Sequence, residues 1–148
     1  MARLETLDTG KPITESLTGD IPRSAWNFHF FAEFAPAQTE ECFNVGPNER
    51  HFAVREPLGV AALITPWNLP LYLATWKIAP CLAMGNSCIL KPAEWTPMTA
   101  TVLGEIMNAA GVPPGVFNVV HGFGPNEAGE ALTTHPGVNA ISFTGETS

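Results

Sequence analysis

Residues 57–68 read Pro57-Leu58-Gly59-Val60-Ala61-Ala62-Leu63-Ile64-Thr65-Pro66-Trp67-Asn68, and the fold follows from them. Five apolar residues, 60–64, run without alternation and stop at Thr65-Pro66. A strand with one wet face alternates; an unbroken run of this length is covered on both faces, as at the centre of a parallel sheet. A helix is predicted over 71–84, with Pro80 weakening one turn. Gly85-Asn86 is a turn, and Ser87-Cys88-Ile89-Leu90 is a second buried strand. The alternation then repeats. Residues 98–110 form a helix with Met98, Val102, Ile106 and Ala109 on one face, stopped by Gly111 and Pro113-Pro114. A strand over 116–120, a short helix over 127–134 and a strand over 140–143 complete the series. Strand and helix in strict alternation predict an α/β fold: a Rossmann-like parallel sheet with helices on both faces.

Upstream the signal is weaker. Residues 1–19 show no periodicity, apart from the turn Asp8-Thr9-Gly10-Lys11-Pro12. A helix is predicted over 21–35, with Pro22 in its first turn and Ala25, Phe28, His29, Phe31 and Ala32 as its apolar face. Residues 42–50 read as a connector with a turn at Gly46-Pro47-Asn48, and 51–55 as a short strand. The chain thus divides into a lead-in over 1–56 and a sheet domain over 57–148.

The 148 residues are 45% hydrophobic and 14% charged, with 13 glycines and 14 prolines. So charge-poor a chain has ample apolar surface for a core and is not a disordered segment. Its net charge is −7, and residues 92–148 hold no Lys or Arg. No basic face for nucleic acid can be assembled from seven scattered cations. The apolar run over 57–90 is cut by Pro66, Asn68, Pro70 and Pro80, so no membrane span is expected. Cys42, Cys81 and Cys88 fit neither a disulfide framework nor a zinc site. Reduced cysteines and no signal core at the start point to the cytoplasm, and no metal-ligand spacing occurs.

Parallel sheets bind ligands beyond the carboxyl ends of their strands, which directs attention to 65–68, 91–94, 121–125 and 144–146. Asn68 carries an amide able to donate to an oxygen gaining negative charge; its plainer role is a helix cap, with Trp67 packing beside it. Lys91 and Glu94 suit hydroxyl or phosphate recognition, or form a surface ion pair worth little. Gly122 and Gly124 allow close approach to backbone, and Gly129 lets the next helix pack closely; an ordinary turn explains them equally. Thr144-Gly145 precedes backbone N–H groups that can hold phosphate, or simply caps a helix. Cys81 and Cys88 read as core and Cys42 as exposed beside Glu40 and Glu41, so none looks like a nucleophile. His121 sits at a strand end; His29, His51 and His135 read as packing or surface residues.

Taken in order, these segments resemble the aldehyde dehydrogenase superfamily. The resemblance runs through 4–12, Arg55-Glu56-Pro57-Leu58-Gly59-Val60, Ile64-Thr65-Pro66-Trp67-Asn68, 77–86, Lys91-Pro92-Ala93-Glu94, 111–120 and Phe143-Thr144-Gly145. It implies that Asn68 is the oxyanion-hole asparagine. It implies that Ile64, Thr65, Pro66 and Trp67 wall a cofactor cleft, that Lys91 and Glu94 hold the adenosine ribose, and that Gly124, Thr144 and Gly145 border the pyrophosphate. The cofactor is then NAD, with NADP disfavoured by Glu94. The partners implied are a small aldehyde and, through a hairpin beginning near 49–55, further copies in a homo-dimer or homo-tetramer. Two features depart from the common pattern: Glu146 replaces a Ser after Phe-Thr-Gly, and 124–129 is one residue longer. Both are similar to a branch oxidising muconate-type semialdehydes in aromatic degradation. The family's nucleophilic cysteine and general-base glutamate match nothing in this chain and belong C-terminal to it. The expectation is an N-terminal, cofactor-binding piece, inactive alone. A free-standing nucleotide-binding or interaction module, or a truncated product without function, are the alternatives.

Overall fold

The computed structural model describes residues 1–146. Its centre is a four-stranded parallel sheet built from β3 (Val60–Ile64), β4 (Ser87–Lys91), β5 (Phe117–Val119) and β6 (Ala140–Phe143), in the order β5-β4-β3-β6. The expected strands and their parallel sense are therefore present. β3 lies between β4 and β6, with Ile64 level with Lys91 on one side and Phe143 on the other.

Strand order determines where the helices go. From β3 through α4 (Pro70–Ala83) to β4, and through α5 (Met98–Ala109) to β5, the chain advances in one direction. It then reverses across β4 and β3 through α6 (Ala128–Thr134) to reach β6. Right-handed crossovers put α4 and α5 on one face and, after the reversal, α6 on the other. Side-chain parity agrees: Ala61, Leu63 and Ser142 face α4, whereas Ile64, Lys91 and Phe143 face α6. The main core lies on the α4 side and joins Leu63, Cys88 and Leu90 to Leu71, Ala74, Ile78, Ala100, Leu103 and Met107. Burying each Leu or Ile there contributes roughly 1.5–3 kcal/mol. Helix α4 continues through Pro80 rather than ending at it.

The N-terminal region departs from expectation in three places. Residues read as aperiodic form helix α1 (Ala2–Thr9), closed by Gly10 at φ 75°. Its inward residues are Ala2 and Glu5, so no hydrophobic stripe marks it. After a short turn α2 (Ile13–Glu15), helix α3 (Ile21–Phe34) packs along α4. The predicted face is inward only in part: Phe28 packs against the core and Phe31 is half-buried, but Ala25, His29 and Ala32 are exposed, and the fully buried residues are Ser24 and Asn27. The Asn27 amide donates to Thr75 Oγ1 at 3.0 Å, a polar part of the contact that an apolar reading misses. Lastly, residues 42–50 are not a connector. They belong to an antiparallel hairpin of β1 (Glu41–Gly46) and β2 (Glu49–Ala53), turning at Pro47-Asn48 and exposed along its whole length. Lacking a buried face, β1 leaves little pattern to detect.

Candidate functional site

The reversal in strand order splits the helices between β3 and β6 at their carboxyl ends, and there a cleft of about 740 Å³ opens on the α6 side. Its floor is the end of β3: Ile64, then Thr65, whose N–H donates to Lys91 O at 3.2 Å, then Pro66 and Trp67. Beyond β4 come Lys91 and Glu94. Lys91 is 4% exposed, and its Nζ donates to Pro92 O at 3.2 Å and to Glu94 Oε2 at 3.3 Å. The ammonium is thus enclosed and paired, with the Glu94 side chain 34% open to solvent. Beyond β6 come Thr144, whose N–H donates to Ile64 O at 3.1 Å, and Gly145.

The far wall is the loop after β5. Phe123 N–H donates to Glu127 Oε2 and Asn126 N–H to Glu130 Oε2, both at 2.7 Å. These bonds hold Asn126 at φ 56°, a conformation most side chains avoid. At Gly129 a Cβ would lie 2.7 Å from Gly124 Cα, so α6 approaches the loop as closely as glycine permits. At Gly124 a Cβ would meet nothing within 4 Å, leaving that backbone open to the cleft.

Ile64, Thr65, Pro66, Trp67, Lys91, Glu94, Gly124, Thr144 and Gly145 all line this single cleft. Asn68 does not line it. It is exposed on the turn before α4 and makes no side-chain hydrogen bond among the described residues, so it does not serve as the cap of that helix. The sequence reading missed Trp95, which meets Trp67 at 6.5 Å between ring centroids, and missed Glu130 and Thr133 on α6. Helical spacing of Glu130 and Thr133 offered a faint signal, but only the fold shows which wall α6 forms.

The cleft fits a nucleotide. Its volume suits a cofactor-sized ligand, Thr65 Oγ1 is buried there without a partner among the described residues, and Lys91 is the one cation among lining residues that include Glu94, Glu130 and Glu146. A surplus of carboxylate disfavours an additional phosphate on the ribose.

A second hollow of about 730 Å³ runs along α4 on the opposite face of the sheet and shares only Thr144 with the cleft. There Lys77 Nζ donates to Ser142 Oγ at 2.9 Å, and burial pulls the lysine below its ordinary pKa. Cys81 borders this hollow, drawn down by contact with the Cys88 thiol, while that contact and burial push Cys88 far up. Cys42 lies on the exposed hairpin. No cysteine lines the cleft.

The sequence model of the aldehyde dehydrogenase family matches residues 1–148. The chain belongs to the aldehyde dehydrogenase family. Among curated aldehyde dehydrogenases, it is 55% identical over 147 residues to 2-hydroxymuconic semialdehyde dehydrogenase of Pseudomonas sp. strain CF600, covering 97% of this chain and 30% of that one. It is 53% identical to human 2-aminomuconic semialdehyde dehydrogenase, again over 97% of this chain and 30% of the relative. The chain thus spans about 30% of the length of these relatives. The NAD+ complex of an aldehyde dehydrogenase from Bacillus cereus superposes with a TM-score of 0.95 at 38% identity, covering 99% of this chain and 30% of that one. The expected family, and its muconate branch, are the ones found.

Proposed function

We propose that this chain forms the NAD-binding part of an aldehyde dehydrogenase that oxidises a muconate-type semialdehyde to its carboxylic acid. The observation that carries the reading is the convergence of nine residues, from four separate strand ends, on one nucleotide-sized cleft at the reversal of a parallel sheet. When bound, NAD supplies the hydride acceptor. Lys91 and Glu94 hold the ribose hydroxyls, Lys91 as donor and Glu94 as acceptor. Gly124 leaves backbone open to the pyrophosphate, Thr144 and Gly145 border it, and Ile64, Thr65, Pro66 and Trp67 form the wall against which the cofactor lies. Asn68 directs its amide at the aldehyde oxygen as negative charge develops, and its freedom from other hydrogen bonds suits that task. The semialdehyde branch is supported by the muconic semialdehyde dehydrogenases among the relatives.

Around this site, residues 1–56 serve as lead-in and hairpin and 57–148 as the cofactor unit. The exposed hairpin supports assembly into a homo-dimer or homo-tetramer. No described helix is long and apolar enough to cross a membrane; a cytoplasmic location is part of this proposal.

Cofactor choice tests the site. Glu94→Gln removes the acceptor charge beside the ribose. Isothermal titration of NAD and NADP should show NAD weakened about tenfold, about 1.4 kcal/mol, with NADP weakened less or strengthened. An unchanged ratio of the two affinities would remove Glu94 from the site.

A further inference from the structure

Helix α4 begins directly after the turn that carries Asn68, and its start has no local cap. Leu69 stands at the capping position without an acceptor side chain, and Asn68 does not take over that role. Helix starts leave N–H groups unpaired, and buried ones need an acceptor from elsewhere. Here the acceptor comes from 66 residues upstream. Glu5 of α1 is fully buried, and its Oε1 accepts from Leu71 N–H, in the first turn of α4, at 3.3 Å. The same helix supplies Asp8, whose Oδ2 accepts from Met98 N–H at the first residue of α5, at 2.8 Å. Helix α1 therefore works as a clip across two helix starts, with a carboxyl oxygen accepting at each.

We propose that Glu5 is a positioning residue for Asn68: by capping α4 from outside, it fixes the turn at 66–69 and leaves the Asn68 amide uncommitted. A short polar side chain beside an uncapped helix start tends to fold back onto the free N–H groups. With Leu71 N–H already satisfied, Asn68 loses one of the first-turn donors it could fold back onto, and its exposed side chain makes no hydrogen bond to the described residues. The inference rests on the reading of Asn68 as the oxyanion donor, but the two can fail separately.

Two variants test it. Glu5→Met keeps the volume and removes the acceptor; Glu5→Gln keeps an acceptor oxygen. In the 148-residue chain, amide exchange at Leu71 should accelerate at least tenfold in Glu5→Met and remain within about threefold in Glu5→Gln, and the Asn68 side-chain amide resonances should shift only in Glu5→Met. Should Glu5→Met not fold, the wild-type chain still decides: a Leu71 amide exchanging as fast as an exposed one overturns the proposal. In the enzyme of full family length carrying this segment, Glu5→Met should lower kcat about tenfold with the NAD dissociation constant unchanged, and Glu5→Gln should retain it. A loss of NAD binding that matches the loss of kcat would mean a merely structural role and overturn the proposal. If Asn68→Ala lowers kcat while Glu5→Met does not, positioning falls and the oxyanion reading stands. If Asn68→Ala leaves kcat intact, the oxyanion reading itself falls, and this proposal with it.

Discussion

Gly124 and Gly129 lie five residues apart and face opposite demands. A methyl group on Gly129 would press against the Gly124 backbone, its Cα at 2.7 Å and its carbonyl oxygen at 3.0 Å, and backbone has no rotamer in which to yield. Gly129→Ala should therefore lower stability by about 1–3 kcal/mol, read as a drop in the urea midpoint. In Gly124→Ala the added methyl meets no protein atom within 4 Å, and the midpoint should stay in place. The methyl enters the cleft instead, so NAD affinity should fall about tenfold or more, about 1.4 kcal/mol. The reverse pattern, with Gly129→Ala affecting binding alone, would show that the loop is placed otherwise. At this scale most of the site was legible: Lys91, Glu94, Thr144 and the glycines follow strand ends, where a parallel sheet binds ligands. Glu130 and Thr133 were not, because a helical residue acquires its role from the wall its helix happens to form.

Among the elements, α1 was the least visible and has the widest consequences. Its inward side is Ala2 and Glu5 rather than a stripe of Leu and Ile, so periodicity could not reveal it. Burial raises the Glu5 pKa, the Asp20 carboxylate adds slightly, and Thr99, the Leu71 amide and the Lys11 ammonium pull against them. The folded chain consequently keeps this proton to a higher pH than the unfolded chain does. Stability from this group is then fully present below the ordinary glutamate range and is lost as pH rises through the elevated folded value. Urea midpoints across that interval should decline more steeply with pH in the wild type than in Glu5→Gln. Parallel curves for the two proteins would rule out Glu5 as the source. Helix α3 adds a related point: beside the apolar packing of Ile21 and Phe28 on the core, Ser24 and Asn27 are buried, and that polar part of the seam is invisible to a search for apolar faces.

For the whole molecule, the hairpin and the sheet behave as separate concerns. Both hairpin strands are exposed throughout, with Phe43 54% and Phe52 65% accessible. A lone two-stranded hairpin is marginal in water, so its apolar residues suit association rather than the core. Replacing Phe43 and Phe52 by Ser should leave stability within about 0.5 kcal/mol while reducing self-association in sedimentation velocity. A large fall in melting temperature would instead place these rings in the core. The 148-residue chain alone should bind NAD yet form no NADH from a semialdehyde, since Cys42, Cys81 and Cys88 all lie away from the cleft; measurable turnover would refute that. The sequence by itself determined the alternation of strands and helices, the parallel sheet and the strand ends that line the cleft, because a strand covered on both faces must be apolar without interruption. Only the tertiary structure decided that the chain reverses between β5 and β6, which opens the cleft, and that a carboxyl oxygen from residue 5 caps a helix starting at residue 70. Neither follows from local pattern: strand order and a hydrogen bond spanning 66 residues arise only when distant segments pack together.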